Sequence, residues 1–359
     1  MRRIGILVSA RINQEERQLI RQGDHPRRDY FELADVLGAT IINHEQVLAK
    51  AWRGRSKTAP GPAMAQAWHA FQRRHEYDCI LSDSEHVGIP LALLFKLAGV
   101  QKAHVMIAHR LSTPKKGVFF RALGVQSHID KIICYGSAQR DYASGALGIP
   151  RDKLTVVLHP ADHRFWQPMA VERERLIASA GLEFRDYPTL IEAIRGVDAD
   201  VRIAAASPWS RRPNETSGRE LPPNVTVVAH TYRELRDLYA RSQFVVIPLY
   251  ETEFQAGTLV MYEAMSMGKA VIATRTKGQG DVLVEGTTGL YAPPGDADAL
   301  RRAIRRLLDN PAEAQEMGRN ARRAVEAELN LDAYVENVAR TVIQEIEHAA
   351  ARQRCPAPA

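Results

Sequence analysis

A chain of 359 residues is longer than one hydrophobic core ordinarily serves, so two domains of roughly 150 to 200 residues are expected. A composition of 45% hydrophobic and 25% charged residues, with Gly and Pro dispersed, excludes long disorder. The balance of 48 Lys+Arg against 42 Asp+Glu leaves a net charge of +6, which suits nucleic acid, an acidic membrane or a diphosphate alike.

Further classes fall away on cysteine usage and hydropathy. Cys79, Cys134 and Cys355 are odd in number and far apart, which fits neither a disulfide framework nor a zinc site and agrees with a reducing cytoplasm. The N-terminal apolar run of about six residues is too short for a signal sequence, and no segment approaches the roughly 20 apolar residues of a membrane span. A cytoplasmic protein, at most peripheral at the inner face of a membrane, is expected. No helix-turn-helix, zinc-finger, RRM or KH pattern is present, so nucleic acid is not an expected partner.

Short β-branched runs alternate with helical stretches along the whole chain, the pattern of parallel sheets covered by helices on both faces. Strands are predicted at Ile4–Ser9, Thr40–Ile42, Cys79–Ser82, His104–Ala108, Lys131–Tyr135 and Leu154–Leu158, with helices at Asp29–Leu37, Met64–Arg74 and Pro90–Leu97. Asp83 and Glu85 read as N-caps for that last helix. The breaker-rich HPADHRFWQP then reads as a linker. A second series follows, with strands at Arg175–Ala178, Val201–Ala205, Val225–Val228, Phe244–Ile247 and Ala270–Ala273 and helices at Pro188–Ile194, Arg233–Ala240 and Gly257–Met267. The tail from Ala297 is nearly all helix, with a buried stripe through Leu300, Ile304, Leu307 and Leu308 and a solvated face carrying Arg301, Arg302, Arg305 and Arg306.

The chemistry concentrates in FVVIPLYETEFQAGTLVMYEAMSMG, Phe244–Gly268. An apolar strand ends at Pro248, a loop carries Glu251, Glu253 and Gln255, and a helix starts at Gly257-Thr258, so polar groups gather at the carboxyl end of a parallel strand. The unpaired first-turn amides of that helix suit a diphosphate. Glu263, on its second turn, is either an exposed helical carboxylate or an acceptor for paired hydroxyls such as those of a ribose.

The stretch from Phe244 to about Met317 resembles the donor-binding half of the retaining GT-B glycosyltransferases of family 4. YEAMSMGKAVIAT matches the second half of that family's Glu, seven residues, Glu-Ala-Met pattern, and GQGDVLVEGTTGLYAPPGDADAL matches the turns that follow. LIASAGLEFRDYPTLIEAI resembles its strand, basic loop and helix, with Arg185 at the position of a diphosphate-holding Lys. KLTVVLHPADHRFWQP, with Asp162, resembles the interdomain segment, and HVMIAHRLS the acceptor-domain strand that delivers a His, here His109.

The resemblance implies an α/β GT-B fold: two Rossmann-like domains facing each other across a cleft, at 1–165 (acceptor side) and 166–340 (donor side). The C-terminal helix of 341–359 would pack back on the first domain, ahead of a frayed tail. The implied reaction is metal-independent transfer of a sugar from a UDP- or GDP-type donor, with retention, to a glycan, lipid-linked or small-molecule acceptor. Implied catalytic residues are His109, Arg185 and Glu263. Implied donor-binding residues are Ser207, Arg211, Arg212, Phe254, Gln255, Ala256, Gly257, Thr258 and Leu259. No metal or other cofactor is expected. A catalytically silent sugar-nucleotide binder, or another GT-B enzyme such as an epimerase, is the alternative.

Three departures qualify the resemblance. Gln255 stands where the first Glu of the motif is expected, with Glu251 and Glu253 nearby. Leu182 stands where an Arg is expected, so Arg211 and Arg212 are the candidate second cations. The usual Gly-Gly loop after the first strand is absent, and Arg11 to Arg28 is polar and basic instead.

Overall fold

The computed structural model describes residues 2–10, 12–13, 15–44, 47, 61–205, 216 and 220–354. The chain divides into two compact units: Met1–Gln18, Arg28–Leu158 and Ala333–Ala359 in the first, Leu19–Arg27 and His159–Asp332 in the second.

The first unit is built on six parallel strands, β1 (Ile4–Val8), β2 (Thr40–Asn43), β3 (Cys79–Ser82), β4 (Ala103–Ala108), β5 (Lys131–Cys134) and β6 (Leu154–Val156), in the order β2-β1-β3-β4-β5-β6. The helices along this half are α1 (Glu16–Gln22), α2 (Asp29–Leu37), α3 (Pro62–Gln72), α4 (Glu85–Leu97), α5 (Pro114–Arg121) and α6 (Ser137–Gly145). Every residue of β1, β3 and β4 is buried, as strands covered on both faces require. α1, α5 and α6, of seven to nine residues, are additional to the helices expected from sequence.

The start of α4 corrects one expectation. The helix begins at Glu85 rather than Pro90, and its N-cap is Ser84, whose hydroxyl accepts from the His86 amide at 3.2 Å. Pro90 lies inside it, so the proline does not mark a boundary here. Gly88 lets the helix seat closely on β4, because a Cβ there would stand 2.6 Å from the Met106 side chain.

The second unit repeats the plan with β7 (Leu176–Ala180), β8 (Asp200–Ala204), β9 (Val225–Val227), β10 (Phe244–Ile247), β11 (Ala270–Thr274) and β12 (Gly289–Ala292), all parallel, in the order β12-β11-β10-β7-β8-β9. Its helices are α7 (Tyr187–Ile194), α8 (Tyr232–Arg241), α9 (Thr258–Ser266), α10 (Ala297–Asp309) and α11 (Pro311–Ala327). Ile177, Phe244, Val246 and Ile272 of the sheet pack with Leu190 and Ile194 of α7 and with Leu300, Ile304 and Leu307 of α10. The expected stripe on α10 is therefore internal. Arg301 departs from the expected solvated face: its guanidinium donates to the carbonyls of Glu192 and Ala193 and closes the C-terminal end of α7.

The last helix, α12 (Leu331–Arg354), continues into the first unit. There Tyr334 meets Tyr135, with hydroxyls 3.4 Å apart, Glu345 pairs with Lys131 at 3.6 Å and Arg352 with Asp130 at 2.6 Å.

Candidate functional site

In an open parallel sheet, ligands bind beyond the carboxyl ends of the strands where strand order reverses. In the second unit that reversal falls between β7 and β10. The loops leaving these two strands are stitched side by side: the Asp186 amide donates to the Pro248 carbonyl and the Tyr250 amide to the Phe184 carbonyl, both at 3.1 Å, and Arg185 bridges Leu249. The chain reaches this arrangement through Gly181 (φ 92°) and through Phe184, which adopts φ 56°, a left-handed conformation that a bulky residue occupies only when its surroundings impose it.

This geometry buries Arg185 to 4% exposure. Its Nε donates to the Ala180 carbonyl and its Nη1 to the Glu183 carbonyl, each at 2.8 Å. Among the described residues no carboxylate forms an ion pair with it. The neighbouring Asp186 is occupied elsewhere, capping α7 by accepting from the amide and hydroxyl of Thr189. Burial lowers the Arg185 pKa, opposed by the potential of Tyr187, Tyr239, Glu263 and Glu183, and a guanidinium stays charged under such conditions.

Gly257 sits against the same guanidinium. It precedes α9 with φ 75°, and a Cβ there would lie 2.8 Å from Ile247 Cγ2 and 3.4 Å from Arg185 Nη1. Among the described residues no side chain caps α9, so its first-turn amides, those of Thr258, Leu259 and Val260, lack an intrahelical partner. Thr258 turns its hydroxyl back to the Gln255 carbonyl at 3.1 Å. Glu263 is buried one turn further along α9 and accepts from the Tyr239 hydroxyl at 3.3 Å.

The loop carrying Phe254, Gln255 and Ala256 is pinned to the segment after β11. Gly278 donates its amide to the Thr252 carbonyl at 3.0 Å and approaches Phe254 so closely that a Cβ would lie 2.3 Å from that residue's backbone. Phe254 meets Phe184 edge to face, with ring centroids 5.0 Å apart. The Gln255 Nε2 donates to Asp281 Oδ2 at 3.1 Å, and its buried Oε1 has no partner among the described residues. Glu251 accepts from the Lys277 amide at 2.9 Å. The carboxylate beside Gln255 is thus that of Asp281, which sequence reasoning left inside a glycine-rich turn.

Arg185, Phe254, Gln255, Ala256, Gly257, Thr258, Leu259 and Glu263 are therefore gathered at one strand-order reversal. Ser207, Arg211 and Arg212 lie outside the described residues. Asp162 is ion-paired with Arg27, whose side chain reaches it at 2.8 Å and Asp332 at the same distance.

His109 lies in the first unit, where strand order reverses between β1 and β3. Here the Ser9 amide donates to both oxygens of Asp83, at 2.9 and 3.0 Å. Burial pushes the Asp83 carboxyl up to about 7, against the opposing pull of His109 and of the Ser9 hydrogen bonds. His109 donates its Nε2–H to the Asp83 carbonyl at 2.7 Å and its amide to Glu85 Oε2 at 2.8 Å, and meets the Tyr135 ring edge to face. Glu85, buried, also takes the Lys116 ammonium at 2.6 Å and the Arg110 amide at 3.2 Å. Burial alone would raise its pKa, but Lys116 and His109 hold it below the ordinary carboxylate range. Neither Asp83 nor Glu85 is the helix cap that the sequence suggested. Among the described residues no three His, Cys, Asp or Glu converge as a metal site would need.

Two six-stranded parallel sheets with flanking helices, each with one reversal of strand order, fit the α/β GT-B fold with Rossmann-like units. The structure of HepE from Anabaena in complex with UDP-glucose matches with a TM-score of 0.73 over 95% of this chain and 99% of its own, at 14% identity. Residues 177–310 match the family model for glycosyl transferases group 1. The glycogen synthase of Mycobacterium tuberculosis is 24% identical over 274 residues, 71% of this chain and 64% of that protein. The MMP alpha-(1->4)-mannosyltransferase of Mycolicibacterium hassiacum is 28% identical over 212 residues, 55% of this chain and 50% of that protein. The chain thus matches less than two thirds of the length of either relative. Together these likenesses show a GT-B fold, with the match to the group 1 glycosyl transferase model confined to the second unit.

Proposed function

We propose that this chain transfers a glycosyl group from a nucleoside diphosphate sugar to an acceptor, with retention of anomeric configuration and without a metal ion. The observation that carries the reading is Arg185: a buried guanidinium without a carboxylate partner among the described residues, packed against Gly257 where an uncapped helix begins. A buried cation without a counterion is costly, and a diphosphate at this position offsets that cost with charge-assisted hydrogen bonds from the guanidinium and the α9 amides. As the sugar–phosphate bond breaks, the same groups stabilise charge developing on the departing diphosphate. Glu263 is assigned to the ribose hydroxyls, Gln255 to the sugar, and His109 keeps the role the family resemblance gives it. The UDP-glucose complex of HepE supports a donor of the UDP type, and the match to group 1 transferases supports transfer over mere binding.

The test is a panel of UDP-, GDP- and other nucleoside diphosphate sugars offered to the purified chain in the presence of EDTA. At least one is expected to be hydrolysed or transferred, with the product anomer matching the donor by NMR, and Glu263→Ala is expected to abolish that turnover. Absence of both turnover and thermal shift across the panel overturns the enzyme reading; turnover only with added divalent metal overturns metal independence.

A further inference from the structure

Residues 278–281 hold the loop before α9 at three successive positions. Gly278 meets the Phe254 backbone, Asp281 Oδ2 accepts from Gln255 Nε2 at 3.1 Å, and Gln279 Nε2 donates to the Ala256 carbonyl at 2.5 Å. Asp281 is the only hydrogen-bond partner of the Gln255 side chain among the described residues, since the buried Oε1 has none. The orientation of the amide is therefore fixed: turned over, it would set its oxygen against a carboxylate oxygen. A glutamate at 255 would likewise bring two carboxylates within about 3 Å, and one of them would have to take a proton. Glutamine avoids that conflict and gives the carboxylate a donor. The Asp281 charge also reaches Tyr262 on α9, which is fully buried and whose hydroxyl has no partner among the described residues. Burial first, and Asp281 second, raise the pKa of that hydroxyl.

We propose that Asp281 and Gln255 together bind two neighbouring hydroxyls of the transferred sugar, with Asp281 supplying the charge that residue 255 does not carry. The inference rests on the transferase reading and deepens it, by naming the feature of the sugar that the site selects. An amide nitrogen has two hydrogens, of which Asp281 takes one, and a carboxylate accepts at about four positions, of which Gln255 uses one. The pair thus offers a donor and a charged acceptor side by side. One hydroxyl donates to Asp281 while its neighbour accepts from Gln255 Nε2. Both side chains are half-buried, which leaves them open to a ligand and screens them enough from water to strengthen the contacts. Glu251 and Glu253, the other carboxylates of the loop, are exposed, and Glu251 is already bonded to the Lys277 amide. A sugar without one of the two hydroxyls leaves half of the pair unpaired, and a site built on hydrogen bonds rejects such an analogue strongly.

The full chain is offered UDP- and GDP-linked glucose, galactose, mannose and N-acetylglucosamine, and the donor turned over fastest is kept. Turnover is read as release of the nucleoside diphosphate, and the affinity of that diphosphate alone by calorimetry. Asp281→Asn should lower kcat/KM for the donor about 10- to 200-fold, as loss of a charge-assisted contact does, and leave the diphosphate Kd within about two-fold. Gln255→Glu should lower kcat/KM at least about ten-fold, because two carboxylates then meet. With both changes the amide and the carboxylate exchange places, and kcat/KM should exceed that of the weaker single variant by about ten-fold. Glu253→Gln should match the parent. Among singly deoxygenated forms of the donor, at least one should be insensitive to Asp281→Asn, because the contacted hydroxyl is already gone. Unchanged kcat/KM in Asp281→Asn, an equal loss of diphosphate affinity, a double variant no better than the weaker single, a loss in Glu253→Gln, or sensitivity of every deoxy donor each overturns the proposal. A parent that neither turns over nor binds any of the donors overturns the transferase reading itself, and this inference with it.

Discussion

The two units reverse strand order at matching points, between β1 and β3 and between β7 and β10, yet the loops leaving those strands carry opposite chemistry. Beyond β7 and β10 the buried charge is Arg185, held by carbonyl oxygens, without an ion-paired carboxylate among the described residues, and set beside the start of α9. Beyond β1 and β3 the buried groups are carboxyls, and the protein satisfies them itself: Asp83 through the Ser9 amide, Glu85 through Lys116 and the amides of His109 and Arg110. The strands are interchangeable apolar material. Polarity is written in the few residues that follow them, which is why one architecture holds a buried cation in one unit and buried carboxyls beside a pinned histidine in the other.

The largest effect is expected where that internal satisfaction is broken. Glu85→Ala leaves the Lys116 ammonium without its counterion, with only the Arg110 carbonyl at 2.6 Å, and two backbone amides without their acceptor, and should cost about 3 to 5 kcal/mol of stability. Denaturant unfolding measures it, and Lys116→Met combined with Glu85→Ala should recover part of the loss, since the isolated charge is then gone. An additive double variant would mean that the ion pair is not what holds this corner.

Arg185→Met should do the reverse, costing ligand affinity more than fold. Losing a charge-assisted contact to a diphosphate costs about 1.5 to 3 kcal/mol, or about 10- to 200-fold in affinity for the best nucleoside diphosphate found in the donor panel, readable by calorimetry. The melting temperature should fall far less than in Glu85→Ala, because a buried cation without a counterion contributes little net stability. Unchanged nucleotide affinity in a folded Arg185→Met would remove the distinction between the two crevices. A smaller effect, about 1 to 2 kcal/mol, is expected for Gly257→Ala, where an alanine at positive φ must also push against Ile247 and Leu249. Nucleotide affinity should drop with stability there, since the same Cβ crowds Arg185.

Much of this contrast is legible in the sequence, though unevenly. The alternation of apolar runs and helices gives both sheets, because buried parallel strands are the easiest pattern to read. The Gly257 and Glu263 segment stands out through its family resemblance, since spacing alone leaves Glu263 as either an exposed carboxylate or an acceptor. What stays hidden depends on contacts across the chain. Asp281 reaches Gln255 only because Gly278 lets two loops touch, and Ser9 reaches Asp83 only because β1 and β3 are neighbours in the sheet although 74 residues separate the pair. Pro90 misleads for a different reason: proline disfavours a helix interior, but α4 runs through it, started by the Ser84 cap.

The subtlest difference between the crevices is their response to pH. Arg185 does not titrate in the neutral range, whereas the Asp83 carboxyl is raised by burial to about 7. Between the ordinary aspartate value of about 4 and about 7, the unfolded chain has lost this proton while the folded chain retains it. The folded state then binds more protons than the unfolded state, so stability falls as pH rises through that window and levels off above it. In Asp83→Asn the position cannot ionise and the slope it contributes disappears. Melting temperatures of parent and variant followed from pH 5 to pH 8 (about one unit inside and one unit outside the window) should therefore diverge, with the variant gaining relative to the parent as pH rises. Parallel curves would mean that Asp83 is ionised throughout, and that the Ser9 amide and His109 outweigh its burial.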